Sequence, residues 1–480
     1  MGSFSKTIVF LLLCSSIILS GCQSTKTPDS TLTPKPTIKA TVTKTMQPSA
    51  TPNPTATSVP EWWMTEDSLE DVEISLVYPW SGNLANRMEI LVDTFNQTNE
   101  WGVFVTAYGL GSAQQVFQQS EAGMQNGDGP QIVIATIEEL AYWDQNEFLV
   151  PFDQFISDST YGMDQKMIGD FHPLFWGQDV VDGQRLGIPI ARDAQFLLYN
   201  LTWAKTLGFN KPPASPQQFQ NQTCAARDAQ LENKDLLVHG TGGWIINRQD
   251  YPLISWLRAF GIADFPVTEE PYLFDQIATL DTFLFLRQLA DDTCAWSSRN
   301  PTPYDYFSNR QVLMYSANIN DLMTQENILK ANENTDEWTV IPYPGLNNDP
   351  VIITYGPSFG IFRSTKAQEL ASWLFIRWMN EPLQQKQLAK ENPNLPVSLT
   401  LLDELVKDRN KQWGELVKLL DIAQSGPRTS EWRVARFVLP DAVYQIFQTN
   451  LLPEQFPSVI HLLDKTIGEL AKLPAATGWK

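Results

Sequence analysis

Histidine is scarce in this chain: three occur in 480 residues, at positions 172, 239 and 461, and no Cys-x-x-Cys or His-Glu-x-x-His is present. Without nitrogen or sulfur ligands at a usual spacing, the sequence offers no metal site and implies no cofactor. Positive charge is also in short supply. There are 34 Lys+Arg against 54 Asp+Glu, a formal net charge of −20. Such a surface repels phosphate backbones and anionic headgroups, which excludes nucleic acid as a partner and leaves the folded part no electrostatic hold on a membrane. Long apolar runs are missing too. Beyond the first residues nothing approaches the ~20 consecutive apolar residues that a membrane-spanning helix requires.

What the N-terminus does contain is a short positive region at Lys6 and an apolar run from Ile8 to Leu13 that resumes at Ile17, Ile18 and Leu19. It reads as a secretory signal peptide over residues 1–21. It ends in Leu19-Ser20-Gly21-Cys22, which resembles the bacterial lipobox, so Cys22 is the expected lipid-attachment site and the bilayer an expected partner through that acyl group alone. Residues 22–60 are Thr, Pro, Ser and Lys with scarcely a large apolar side chain. Such a segment cannot bury enough surface to offset the entropy of ordering and reads as a tether. Residues 61–480 exceed what one hydrophobic core usually serves, so two lobes are expected. Four cysteines occur in the chain. Cys14 would leave with the signal and Cys22 take the lipid. Cys224 and Cys294 remain, as two buried thiols or as a disulfide whose loop of about 70 residues would stabilise by about 4 kcal/mol in the loop-entropy account.

Along the folded part, Val72–Tyr78 predicts a strand, and Met88, Leu91, Val92 and Phe95 repeat at helical spacing behind it. Val103–Tyr108 predicts a second strand, Ser112–Asn126 a helix, and the unbroken apolar run within Gln131–Ala135 a strand covered on both faces. A β-α-β-α-β series with right-handed crossovers gives a doubly wound parallel sheet that carries its ligand loops at the carboxyl ends of the strands. Ser215-Pro216 marks a helix start, with Ser as N-cap and Pro first inside. Trp338–Tyr343 and Val351–Phe362 read as further strands, and Lys366–Asn380 as a helix.

Several motifs stand in a familiar order: Asp182-Gly183-Gln184 leading to Leu186-Gly187-Ile188-Pro189 and Tyr199-Asn200; Leu207-Gly208 with Pro212-Pro213; Phe307, Arg310 and Val312–Asn318; and Val340–Pro344, Phe359–Phe362, Ala371–Met379 and Leu395-Pro396-Val397. Together they resemble the extracellular solute-binding protein family of maltose-binding-protein type over residues 70–480. The resemblance implies an α/β, two-lobe periplasmic-binding-protein-like fold (type II). Lobe 1 would span about residues 69–190 and 339–395, lobe 2 about 196–338 and 396–480, with crossing segments near 189–196, 338–343 and 394–400. It implies a non-enzymatic receptor of an ABC importer, held on the outer face of the cytoplasmic membrane, that binds a solute between the lobes and passes it to the permease. A carbohydrate is the expected solute, because 16 Trp and 13 Tyr supply flat apolar platforms for sugar faces. A peptide, polyamine or metal chelate is the alternative.

Where the family places its cleft loops this chain has Trp80, Glu138, Asp193, Trp244, Trp256, Asn318, Tyr355, Ser358 and Trp432. Trp373 and Trp378, on a periodic helix face, are expected in the core. A serine hydrolase is the competing class, since Gly356-Pro357-Ser358-Phe359-Gly360 fits G-x-S-x-G and Asp403 or Asp441 precedes His461. The context opposes it: a nucleophile elbow needs a helix directly after the serine, whereas Phe359–Phe362 continues as a strand and Pro357 removes an amide.

Overall fold

The computed structural model describes residues 69–234, 241–262, 274–298 and 302–472, so the expected signal peptide, Cys22 and the tether lie outside the described residues. The described chain opens with β1 (Glu73–Tyr78), α1 (Gly82–Thr98), β2 (Phe104–Gly109), α2 (Ala113–Asn126), β3 (Ile132–Ala135) and α3 (Ile137–Gln145). β1 pairs parallel to both β2 and β3. The periodic side chains of α1, Met88, Leu91, Val92 and Phe95, are buried with Ala85 against this sheet. Ser112 caps α2 by accepting from the Gln115 amide, and Thr136 with Glu139 forms a reciprocal capping box on α3. That box starts α3 one residue beyond β3, so the helix N-terminus stands at the strand's carboxyl end.

The chain then leaves this sheet through β4 (Ile188–Pro189) and enters β5 (Ala191–Asn200), ten residues buried from end to end. β5 is the spine of a larger, eight-stranded sheet. Its other strands are β6 (Trp244–Ile245), β7 (Ala295–Trp296), β8 (Met314–Ala317), β9 (Trp338–Ile341), β10 (Ile352–Tyr355), β12 (Leu395–Pro396) and β13 (Ala423–Ser425). β5 is antiparallel to β8, β9, β10 and β12, whereas β6 is parallel to β7 and β8. The larger sheet is therefore mixed, and only the smaller one has the parallel β1-β2-β3 unit that the sequence pattern predicts. The smaller sheet is completed by β11 (Ser358–Ile361), antiparallel to β3 and β4, to give five strands.

The chain rejoins the smaller sheet later than residue 339. β9 and β10 still pair with β5, and the return comes at Ser358. A short apolar strand such as Trp338–Ile341 satisfies either sheet, and only its register decides which. The two crossings, Pro189–Ala191 outward and Tyr355–Ser358 back, run side by side. At Gly356, φ is +156° and a Cβ would stand 2.5 Å from the Ala191 carbonyl oxygen, so glycine alone fits.

A buried polar cluster fastens these crossings. Arg192 Nη2 donates to both Asp179 carboxylate oxygens at 2.9 Å, Nη1 to the Pro357 carbonyl at 2.9 Å, and Nε to Gln178 Oε1 at 2.6 Å. Both ion-pair side chains are 1% exposed. Ser358 belongs to this cluster: its hydroxyl donates to Asp179 Oδ2 at 2.7 Å and accepts from Arg192 Nη2 at 3.1 Å. It lies in a strand, fully buried and bonded to a carboxylate rather than an imidazole, which is the opposite of an exposed nucleophile elbow.

In the larger-sheet half, α4 (Pro216–Glu232) starts with Ser215 accepting from the Gln218 amide. Cys224 of α4 is disulfide-bonded to Cys294, just before β7. Substituting both cysteines by alanine is expected to lower the unfolding free energy by about 4 kcal/mol, because the unfolded chain regains the freedom of that long loop. A denaturant titration of the double variant against the oxidised parent checks this, and a difference below about 1 kcal/mol would contradict it.

Candidate ligand-binding cleft

Two more helices frame the site, α5 (Asp250–Ala259) and, late in the chain, α8 (Trp432–Ile446); α6 (Ile277–Asp291) packs on both, and α7 (Lys366–Met379) belongs to the smaller-sheet half. α8 buries Trp432, Ala435, Leu439, Ala442, Val443 and Ile446 against the larger-sheet core. Its opposite face carries Phe437, Pro440, Asp441 and Tyr444 at i, i+3, i+4 and i+7, one stripe of a helix surface. This stripe walls a cleft of about 730 Å³. The other walls come from the carboxyl ends of two parallel strands, Ile245–Asp250 at the end of β6 and Ser297-Ser298 after β7, with Tyr315 and Ser316 of β8 on the far side of β6. Binding loops belong at that end of such strands.

The cleft combines flat apolar surface with short polar groups. Phe437 is 68% and Tyr444 47% exposed, a large commitment of aromatic area to water. Asn247, Gln249, Asp250, Asp441 and the serines ring them, and the Arg248 guanidinium lies 4.8 Å over the Tyr444 ring. Arg436, also on the lining, donates through Nε to Asp250 Oδ2 at 3.0 Å and through Nη1 to Glu138 Oε1 at 3.0 Å. Two carboxylates, Asp250 and Asp441, and two guanidiniums, Arg248 and Arg436, thus share the lining with the aromatic rings, which suits a neutral solute rich in hydroxyls better than a polycation.

Some of the residues singled out in the sequence converge beside this cleft. Glu138, at the start of α3, and Tyr355 line one narrow gap together with Tyr251 and Arg192. At about 10 Å³ the gap holds one water at most. The Tyr355 ring stacks on Tyr251 with centroids 3.5 Å apart, and its hydroxyl donates to Asp193 Oδ2 at 3.4 Å. Asp193 also accepts from the amides of Ala194 and Ile319. Asn318 caps the helix Ile319–Ala331. Trp80 is half-buried beyond β1, its ring 5.8 Å from Tyr78, and does not line the cleft.

Others are placed differently. Trp244 and Trp256 are fully buried and Trp432 is 1% exposed, so none presents a face to a solute. Trp256 packs on Phe219 at 4.8 Å, Tyr343 at 5.2 Å and Trp244 at 5.8 Å, and these rings are core. Ser358 is equally buried, in the crossing. The exposed aromatic surface of the cleft comes from Phe437 and Tyr444 and not from tryptophan. Their signal was present: α8 has a core stripe through Trp432 and Leu439, which leaves Phe437 and Tyr444 stranded with Asp441 on the outer face.

Burial shapes the charges here. Asp193 is pushed up to about 6 by loss of solvent, against which the Ile319 and Ala194 amides hold it down. Glu139 is pushed up to about 7, by burial first and by the Glu138 charge next. Its carboxyl in the unfolded chain titrates near 4.5. Between those values the folded protein holds a proton that the unfolded chain has lost. The stability from Glu139 is therefore complete below pH 4.5 and disappears as pH rises through 7. Glu139→Gln keeps an acceptor for the Thr136 amide and is expected to raise stability at pH 8 by about 3 kcal/mol, with little change at pH 5. Melting curves from pH 5 to 8 check it, and an equal effect at both ends would contradict it.

Among curated protein sequences none matches significantly. A family model described as bacterial extracellular solute-binding protein matches residues 91–414. Solved structures share the two-lobe fold at low identity. The sugar-binding protein MalE of Xanthomonas citri is 15% identical with a TM-score of 0.68, over 83% of this chain and 97% of that one. The cyclic alpha-maltosyl-1,6-maltose binding protein of Arthrobacter globiformis is 16% identical with a TM-score of 0.66, over 82% and 98%. MalE of Bdellovibrio bacteriovorus, bound to maltotriose, is 16% identical with a TM-score of 0.60, over 83% and 100%. Identities this low speak for the fold alone.

Proposed function

The chain belongs to the bacterial extracellular solute-binding protein family, and from that premise we propose that it captures a carbohydrate in the cleft under α8 and delivers it to the permease of an ABC importer. The observation that carries this reading is the exposed pair Phe437 and Tyr444 on a cleft whose lining mixes apolar side chains with amides, hydroxyls and charges of both signs. Pyranose rings offer apolar C–H faces and a rim of hydroxyls, and these surfaces are complementary to both. A polyamine finds Asp250 and Asp441 offset by Arg436 and Arg248, which lowers the pull on a cation. In this reading Cys22 carries the lipid that holds the exported protein at the outer face of the cytoplasmic membrane, and the Thr/Pro-rich segment gives it reach. The solved relatives whose names include a sugar support the choice of solute class.

The test is a thermal-shift series on the full chain with maltotriose, other neutral oligosaccharides, spermidine and a dipeptide. A solute that binds only the native state at 100 times its Kd stabilises by about 2.7 kcal/mol. A rise with a sugar and none with spermidine or dipeptide is the expected result. The reverse pattern would move the solute to another class.

A further inference from the structure

The smaller sheet ends at β2, and one face of that strand is bare. Phe104, Thr106 and Tyr108 stand at i, i+2 and i+4, so they line one side of the pleat. Their register partners on β1 are Glu73, Ser75 and Val77, and farther in Val77 is buried with Val116 of α2. α2 packs over β1 and β3 and leaves the last strand open, so Phe104 is 51% and Tyr108 52% exposed. The backbone of the same edge is not bare. Asn96 of α1 accepts from the Val105 amide at 2.8 Å and donates to its carbonyl at 2.9 Å, and Asn99 does the same for Val103 at 3.1 and 2.9 Å. These side chains occupy the groups that another strand would pair with, so edge-to-edge contact with a second copy is opposed while the two rings remain uncovered.

The chain enters β1 beside these rings. Phe104 donates its amide to the Val72 carbonyl at 2.9 Å, and a Cβ on Gly102 would stand 3.3 Å from Cα of Glu70. Leu69 is fully buried, which fixes the point from which the preceding residues set out. Those residues are Glu61-Trp62-Trp63-Met64-Thr65-Glu66-Asp67-Ser68, and they hold the only aromatic side chains between Cys22 and Leu69. Met64 is five residues from Leu69 and Trp62 seven, an extended reach of about 17 to 24 Å. Tyr108 lies four residues beyond Phe104, about 13 Å farther along the strand, so both rings are within that reach. Charge argues against a bilayer as the cover. Residues 61–73 include Glu61, Glu66, Asp67, Glu70, Asp71 and Glu73 and neither Lys nor Arg, a run that anionic headgroups repel.

We propose that residues 61–68 fold back over β2 as a clasp, with the Trp62-Trp63-Met64 triplet against the Phe104–Tyr108 face. Large rings on both sides gain by offset or edge-to-face packing and by the apolar area they remove from water. The Thr/Pro-rich tether then leaves the folded part from the edge of the smaller sheet rather than from Leu69, and a pull on the tether is taken up by β2. The clasp involves no part of the cleft, so it stands or falls apart from the carbohydrate reading.

Photo-crosslinking in the full chain tests it, with benzoylphenylalanine in place of Trp63 or, as a control, of Thr55 in the tether, and with vesicles of phosphatidylglycerol and phosphatidylcholine present. From position 63 the expected adduct joins residues 104–108 of the same chain, at a yield at least tenfold above that from position 55. The double variant Phe104→Thr with Tyr108→Thr, which keeps strand-forming residues, is expected to lower that yield at least tenfold. A melting curve confirms that the variant is folded, and if it is not, the comparison of positions 63 and 55 decides. Adducts from position 63 chiefly to lipid or between chains, equal yields from the two positions, or a yield unchanged in the folded double variant would overturn the proposal.

Discussion

Arg192→Leu is expected to lower the unfolding free energy by about 3–5 kcal/mol, the usual penalty for removing one member of a buried ion pair. Asp179 would be left without its cation in a site from which water is excluded, with the Ser358 hydroxyl as its remaining donor of those named above. Two further effects add to this. The Pro357 carbonyl loses its bond from Nη1, and Gln178 loses its bond from Nε, so the return crossing loses its anchor to this side chain. The double variant Arg192→Leu with Asp179→Leu is expected to recover much of the loss, since two apolar groups leave no charge behind. Denaturant titrations of the parent, both single variants and the double variant supply a complete cycle. A single-variant loss under about 1 kcal/mol would mean that the crossings are held by their strand pairing alone.

The second large effect separates core from cleft. Trp256→Ala is expected to cost about 3–5 kcal/mol, because Phe219, Trp244 and Tyr343 all contact that ring and close imperfectly over the space it leaves. Any protein that remains folded should bind solute as before. Phe437→Ala should do the reverse: a ring 68% exposed contributes within about 0.5 kcal/mol to stability. Its removal is expected to weaken sugar affinity at least tenfold. Calorimetric titration with the sugar identified by thermal shift, beside a melting curve for each variant, reads both quantities. A Trp256 variant that loses affinity while keeping its stability would return that ring to the cleft.

The first sheet is legible in the sequence because period and punctuation agree. Met88, Leu91, Val92 and Phe95 define one helix face, the Ser112 and Ser215 caps mark two helix starts, and the unbroken run at Ile132–Ala135 is buried at every position. The return point is not legible, since Trp338–Ile341 and Ser358–Ile361 are both short apolar strands and their sheet is fixed by partners far away in sequence. Glu138 and Tyr355 could be singled out from their places at strand ends. Three tryptophans could not be sorted by type: a large ring suits a platform and a core equally, and burial alone decides. Phe437 and Tyr444 required the two faces of α8 to be weighed against each other rather than tryptophans to be counted.

The order in which the smaller sheet is assembled bears on how the protein is made. β3 needs β11 along its free edge, and Ser358–Ile361 is synthesised long after Ile132–Ala135, with most of the larger sheet in between. Until that segment arrives, a nascent chain has an open strand edge, which is a template for aggregation. The same delay keeps residues 69–190 from closing into a finished lobe while the rest is still being made. For an exported protein this is useful, because a translocation channel accepts an extended chain and folding can be completed on the far side, when β11 finally arrives between β3 and β4.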